Sequence, residues 1–242
     1  MSTSDPEDPD ETVRSDMLEL KSSVQLGHKS AMRMPSSEDK LFLFDASDKS
    51  AWFLLTDDLR ALEIGYAHAY RSAAQVLVAT ASKDRRHYLD FPIVFLYRHH
   101  TELVIKNIIR RLLYLLGRGP TQDEQNHLGE HRLDALWTDL KLQIKAFNKL
   151  EGFAPLPALE EAAVDNYIAQ LTAFDRTSFS FRYPASKKGM STLPKDFKDF
   201  NLRHFGQLME RLAHHLEEID DATLDVVDAM DEAEGPYGYD AD

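Results

Sequence analysis

Residues 92–117, "PIVFLYRHHTELVIKNIIRRLLYLLG", constrain the chain more than any other stretch. The proline supplies a backbone angle suited to a first helical turn, and the glycine starts the breaker "GRGP". The run is apolar enough to be mistaken for a membrane span. It also carries Arg98, His99, His100, Glu102, Lys106, Arg110 and Arg111. That many ionisable groups are very costly in hydrocarbon. The stretch therefore predicts a buried helix in a protein that does not enter a membrane.

Helical periodicity continues on both sides. Thr56, with Asp57 and Asp58, makes a good amino-terminal cap. Behind it Leu59, Leu62, Tyr66, Tyr70, Ala73 and Leu77 step by three or four along one predicted face. Leu133, Leu136, Trp137, Leu140 and Ile144 define a third helix, and "PLPALEEAAVDNYIAQLTAF" a fourth. A fifth is expected from near Pro194 to Ile219, with Phe205, Leu208, Leu212 and Ile219 inward; "DDATLDVVDAM" extends it or adds a short sixth. Only "SFSFRYP" breaks the pattern. Phe179, Phe181 and Tyr183 alternate, and Pro184 disfavours a helical Tyr183, so a short extended insert is expected. The fold class is all-α, an up-and-down helical bundle with one extended insert.

Charge divides the chain into three parts. Residues 1–40 hold 9 acids and 5 bases, and residues 221–242 hold 8 acids and no base. Both are read as disordered acidic tails flanking a bundle over 41–220. That body has 24 acids and 23 bases, while its segment 91–120 has 1 acid and 5 bases. Acidity thus belongs to the tails and does not exclude an anionic ligand on the body. No cysteine is present, which excludes disulfides and thiolate metal sites and suits a reducing cytoplasm. The first forty residues are polar and charged, unlike a secretory signal.

Several constellations compete for a function. Arg98, Glu102, Lys106 and Arg110 follow at i, i+4 spacing. The commoner role of such a ladder is a row of ion pairs on the solvated side of a core helix. The functional alternative is a cationic groove for phosphate built from Arg98, Lys106 and Arg110, with Glu102 orienting Arg98. Arg182, near Lys187 and Lys188, offers a further anion site, where "FRYP" would let the arginine project beside two aromatic residues that could stack on a base. The commoner role of such a stretch is to pack its aromatics on the bundle and leave the cations in water. The stretch "HLGEH" sets His127, Glu130 and His131 in the order of an inverted zinc-peptidase motif. It wants a third ligand in no recognisable second motif, and Gly129 interrupts the helix it needs. The plainer reading makes His131 the start of the third helix, with no metal and no cofactor.

At this point "FLYRHHTELVIKNII", followed by "GEHRLDALW" and then "FSFRYP", resembles the HEPN superfamily. The matching residues are Tyr97, Glu102, Leu103 and Lys106, then His131, Leu133 and Leu136. The resemblance spans roughly residues 55–220 and implies a helical bundle that often dimerises. It also implies a role in prokaryotic defence or stress systems of the toxin–antitoxin kind. Many such proteins are metal-independent ribonucleases; others bind nucleotides or act as non-catalytic partners of an antitoxin or defence component. The ribonucleases carry Arg-x(4–6)-His, whose arginine holds the scissile phosphate while the histidine moves a proton. No arginine of this chain has a histidine at that spacing.

The expectation is therefore a HEPN-like module that binds RNA, a nucleotide or a partner protein rather than an enzyme. A ribonuclease would need a rearranged site. His204, Arg211 and His215 are the candidates, since at about 100° per residue they fall within about 40° on the fifth helix. They border the apolar face, where a dimer seam could bring two copies together; their plainer role is as half-buried interface or surface residues that edge the core.

Overall fold

A computed structural model describes residues 36–37, 57–84, 89–156, 160–195, 197 and 199–234. The chain divides at Leu54/Leu55, and the architecture below belongs to the unit Leu55–Asp242. Its elements are α1 Leu59–Asp84, α2 Asp90–Leu115, α3 Gln122–Gly129, α4 Leu133–Phe147, α5 Glu161–Phe174 and α6 Leu202–Glu234. The class is all-α, as the periodicity predicts, and no described helix is long and apolar enough to cross a membrane.

Helix α2 is the axis of the bundle, packed against α1, α4 and α6. Ile93, Ile105, Ile108, Ile109 and Leu112 are fully enclosed. Because neighbours cover it on several sides, polar residues of α2 are enclosed as well: Arg98, His100, Thr101, Glu102, Lys106 and Asn107. The helix stops at Gly117, whose φ of 65° is left-handed and suits a residue without Cβ. Gly117 N–H donates to the Tyr114 carbonyl at 2.9 Å and Arg118 N–H to that of Leu113 at 3.1 Å, so both terminal carbonyls are satisfied.

Helix α1 is rotated from the expected face: Leu62, Tyr70 and Leu77 are half-buried, Leu77 against the core, while Leu59, Tyr66 and Ala73 are exposed. Leu59 is 68% exposed and Tyr66 53%, whereas Ala67, Ala74 and Ala81 are buried. Small side chains let α1 approach α2 and α6 closely, and that closeness outweighs the larger apolar area of the rejected face. Gly206 on α6 shows the same constraint: a Cβ there would stand 3.3 Å from both γ-carbons of Val78. Thr56 lies outside the described residues. Asp58 serves as cap, accepting from Arg60 N–H at 2.9 Å.

The predicted third helix forms as α4, with Leu133, Leu136, Trp137, Leu140 and Ile144 all buried. The fourth forms as α5 and packs on α4. The fifth starts later than Pro194, at Leu202, and runs on to Glu234. Residues 221–234 are thus helical: "DDATLDVVDAM" extends the fifth helix, one of the two outcomes expected for it, and the reading of this stretch as a disordered acidic tail is corrected. Val227 is buried there, Arg60 reaches Asp231 at 2.7 Å, and Tyr114 donates to the same carboxylate at 3.1 Å. The rest of the two predicted tails, apart from residues 36–37, lies outside the described residues.

The expected extended insert is not a strand; among the described residues the only pairing there is an isolated bridge, Ala185 with Ser191. Asp175 Oδ1 accepts from Phe179 N–H at 2.7 Å and Ser180 N–H at 3.0 Å, winding the segment into turns. Ser178 adopts φ of 59° within it. Alternation in "SFSFRYP" is therefore met by a turn that buries Phe181 and leaves Arg182 outside.

Candidate functional site

The i, i+4 ladder of α2 is not a solvated row. Arg98 and Glu102 are each 1% exposed, and Lys106 is buried too. Glu102 Oε1 accepts from Lys106 Nζ at 2.8 Å and from His131 Nδ1 at 2.8 Å, while Oε2 accepts from Arg98 Nη1 at 3.2 Å. The remaining guanidinium nitrogens are engaged as well. Nε donates to the Asp175 carbonyl at 3.2 Å, with that residue's carboxylate 3.7 Å away, and Nη2 donates to the His131 carbonyl. Burial raises the Glu102 carboxyl, but the Lys106 and His131 hydrogen bonds more than offset this and hold it below its ordinary range. Burial in turn lowers the Arg98 guanidinium, opposed by Asp175 and Glu102.

This geometry corrects the phosphate-groove expectation. Arg98 and Lys106 are spent on an internal carboxylate and present little charge to solvent. Arg110 stands elsewhere, bonded to Glu63 of α1 at 3.3 Å. Each four-residue step turns a helix by about 40°, so three steps carry Arg110 about 120° around α2 from Arg98. The His131 side chain, 47% exposed, is the ladder's outlet to the surface.

Next to that outlet lies a strip of rings and cations. His99 stacks on Phe95 at 5.5 Å, with Tyr70 edge-on to His99 at 4.5 Å. The Arg182 guanidinium lies 5.6 Å from the Phe95 ring centroid and 5.8 Å from that of Tyr183. Its Nε is anchored on the Ser178 carbonyl. No carboxylate pairs with Arg182 among the described residues. Burial holds the His99 ring below its usual value, and its Nδ1 has no partner among the described residues.

The other predicted residues scatter. Helix α3 ends at Gly129 and Glu130 is extended, so His127 and His131 do not share a helix face. His127 Nδ1 meets Asp139 Oδ2 at 2.7 Å, while His131 turns to Glu102. The zinc arrangement is not formed, and no described cluster of three or more potential ligands has metal-holding geometry. On α6, His204 borders an aromatic cavity, Arg211 borders the groove between α1 and α6, and His215 Nε2 accepts from Glu160 N–H at 3.2 Å. A rise of about 1.5 Å per residue places Arg211 about 10 Å, and His215 about 16 Å, along the axis from His204. Within one chain these three do not converge on one phosphate.

Two partners escaped the sequence reading. Asp175 closes the far side of the Arg98 site from beyond α5. Glu210 of α6 gathers Tyr97 Oη at 2.8 Å, Arg71 Nη2 at 2.7 Å and Gln75 Nε2 at 2.8 Å. Neither lies in a local motif, because their partners come from distant helices. The chain matches no family model, no curated protein and no solved structure.

Proposed function

We propose that this chain is a HEPN-like, non-catalytic module that binds single-stranded RNA through the surface strip of Arg182, Phe95, Tyr183, His99 and His131. A prokaryotic defence or stress system is the setting the family resemblance suggests. The observation that carries the reading is the outward Arg182, held against two rings and unopposed by a described carboxylate. Flat side chains and an unneutralised cation are what unstacked bases and their phosphates require. Binding without cleavage is supported by the absent Arg-x(4–6)-His spacing and by the separation of His204, Arg211 and His215.

The test is fluorescence anisotropy of a labelled single-stranded oligoribonucleotide on the full chain in EDTA. Base–ring stacking contributes about 1–3 kcal/mol per base, so Tyr183→Ala is expected to weaken binding about tenfold. Arg182→Glu should weaken it further and flatten its salt dependence. Absence of RNA binding, or indifference to both substitutions, sinks the reading. RNA cleavage lost in His215→Ala would instead favour a ribonuclease.

A further inference from the structure

The carboxyl end of α5, the start of α6, part of α2 and the residues Phe181, Phe197 and Phe200 between α5 and α6 border a cavity of about 250 Å³. Phe174, Phe181, Phe197, Phe200 and Phe205 wall it. Their rings meet edge to face in a chain: Phe174 to Phe197 at 5.0 Å, Phe181 to Phe197 at 5.6 Å, Phe197 to Phe200 at 5.8 Å and Phe200 to Phe205 at 5.6 Å. Val94, Arg98 and Phe181 are buried lining residues and form the floor; Gln170, Phe200, Asn201 and His204 are exposed and mark the mouth.

We infer that this cavity is a binding site for a neutral, planar aromatic molecule of one or two rings. Its size sets the first limit. A dry apolar cavity of about 150 Å³ accepts benzene, and drug-sized ligands occupy about 300–1,000 Å³, so the space here suits a one- or two-ring compound. The rings set the second, because phenyl groups meeting at 63–72° offer both faces and edges, and an aromatic guest can join them by the same edge-to-face and stacking contacts.

Charge sets the third. The floor cation, Arg98, already donates from Nε, Nη1 and Nη2 to Asp175, Glu102 and His131. An anionic guest would have to compete with Glu102 for it, whereas a neutral guest leaves the network whole. At the mouth, Asn201 Oδ1 is taken by His204 N–H at 3.0 Å, leaving the Asn201 amide N–H₂, the Gln170 amide and the His204 ring to orient a ring N–H or carbonyl. The site is distinct from the Arg182 strip, and nothing in it requires RNA.

Indole is a suitable probe. Calorimetric titration of the full chain with indole, in the absence of RNA, is expected to give saturable one-to-one binding. Indole-2-carboxylate should bind at least about tenfold more weakly. Leu208→Phe places a larger side chain on the cavity wall and is expected to weaken indole by about tenfold or more. Should that variant fail to fold, cross-peaks from indole protons to the Val94, Leu171 and Leu208 methyl groups in the wild-type chain serve in its place. No saturable indole binding overturns the assignment, as do contacts only to methyl groups elsewhere. Tighter binding of the carboxylate would overturn the assignment of a neutral ligand.

Discussion

Glu102 is the position where one atom's worth of chemistry should cost the most. Glu102→Gln keeps the side chain's size and one acceptor oxygen but removes the charge shared by Arg98, Lys106 and His131. The new amide N–H₂ must also face a donor. Breaking a buried ion pair from one side typically costs about 3–5 kcal/mol, because a charge is left enclosed and uncompensated. With a urea slope of about 3 kcal/mol per M, the upper end of the usual range, the midpoint should fall by about 1–1.7 M. Equilibrium unfolding followed by circular dichroism, with tryptophan fluorescence as a second probe, measures it. A companion, Glu102→Leu with Lys106→Met, removes an acid and a base together and leaves Arg98 beside Asp175. It is expected to be more stable than Glu102→Gln, since matched apolar replacement of a buried pair is often neutral. A loss below about 1 kcal/mol for Glu102→Gln is what a solvated pair gives, and would refute the claim that the ladder is internal.

Two other outcomes follow from the packing and from the histidines. Gly206→Leu should lower stability by about 1–3 kcal/mol, as overpacking does, despite the better helix propensity of leucine; a more stable variant in thermal unfolding would show that α1 and α6 are not in close approach. Burial holds the His99 and His100 rings below their ordinary value, partly opposed at His100 by its hydrogen bond to the Ala67 carbonyl and by Glu217, and further lowered by Arg71 and His68. A depressed folded value means the unfolded chain takes protons that the folded chain refuses. Their contribution is therefore fully present above about pH 6.5 and is lost as pH falls through the lower folded values. The melting temperature should drop between pH 7.5 and 5.5, and His100→Gln should shallow that slope; a flat or rising wild-type profile would contradict the burial of these rings. Glu102 and Glu210, also depressed, act separately below about pH 4.5, as their carboxylates protonate.

Much of the helical organisation was legible without coordinates. Leu133, Leu136, Trp137, Leu140 and Ile144 lie on one apolar face, and a single face is enough to state which side of α4 is buried. Helix α1 was not legible in the same way. It carries a large apolar face at Leu59 and Tyr66 and a small one at Ala67, Ala74 and Ala81, and size alone favours the wrong one. Only the distance of closest approach between α1, α2 and α6 selects the alanines. The acidic end of α6 was legible in part: "DDATLDVVDAM" reads as a continuation of the helix, yet its charge suggests a tail until Arg60 and Tyr114 are seen to meet it.

For the site, the sequence by itself determined which residue types share α2 and their i, i+4 spacing, because a helix's rotation per residue is a local property. Which of those side chains face water was decided by the tertiary structure alone. Burial depends on neighbours brought in from α1, α4, α6 and the turn at Asp175, and no spacing along α2 encodes them. The same reason explains why Arg182 is exposed while Arg98 and Lys106 are not. A turn anchored on Asp175 sets it outward, while Glu102 keeps the other two inside.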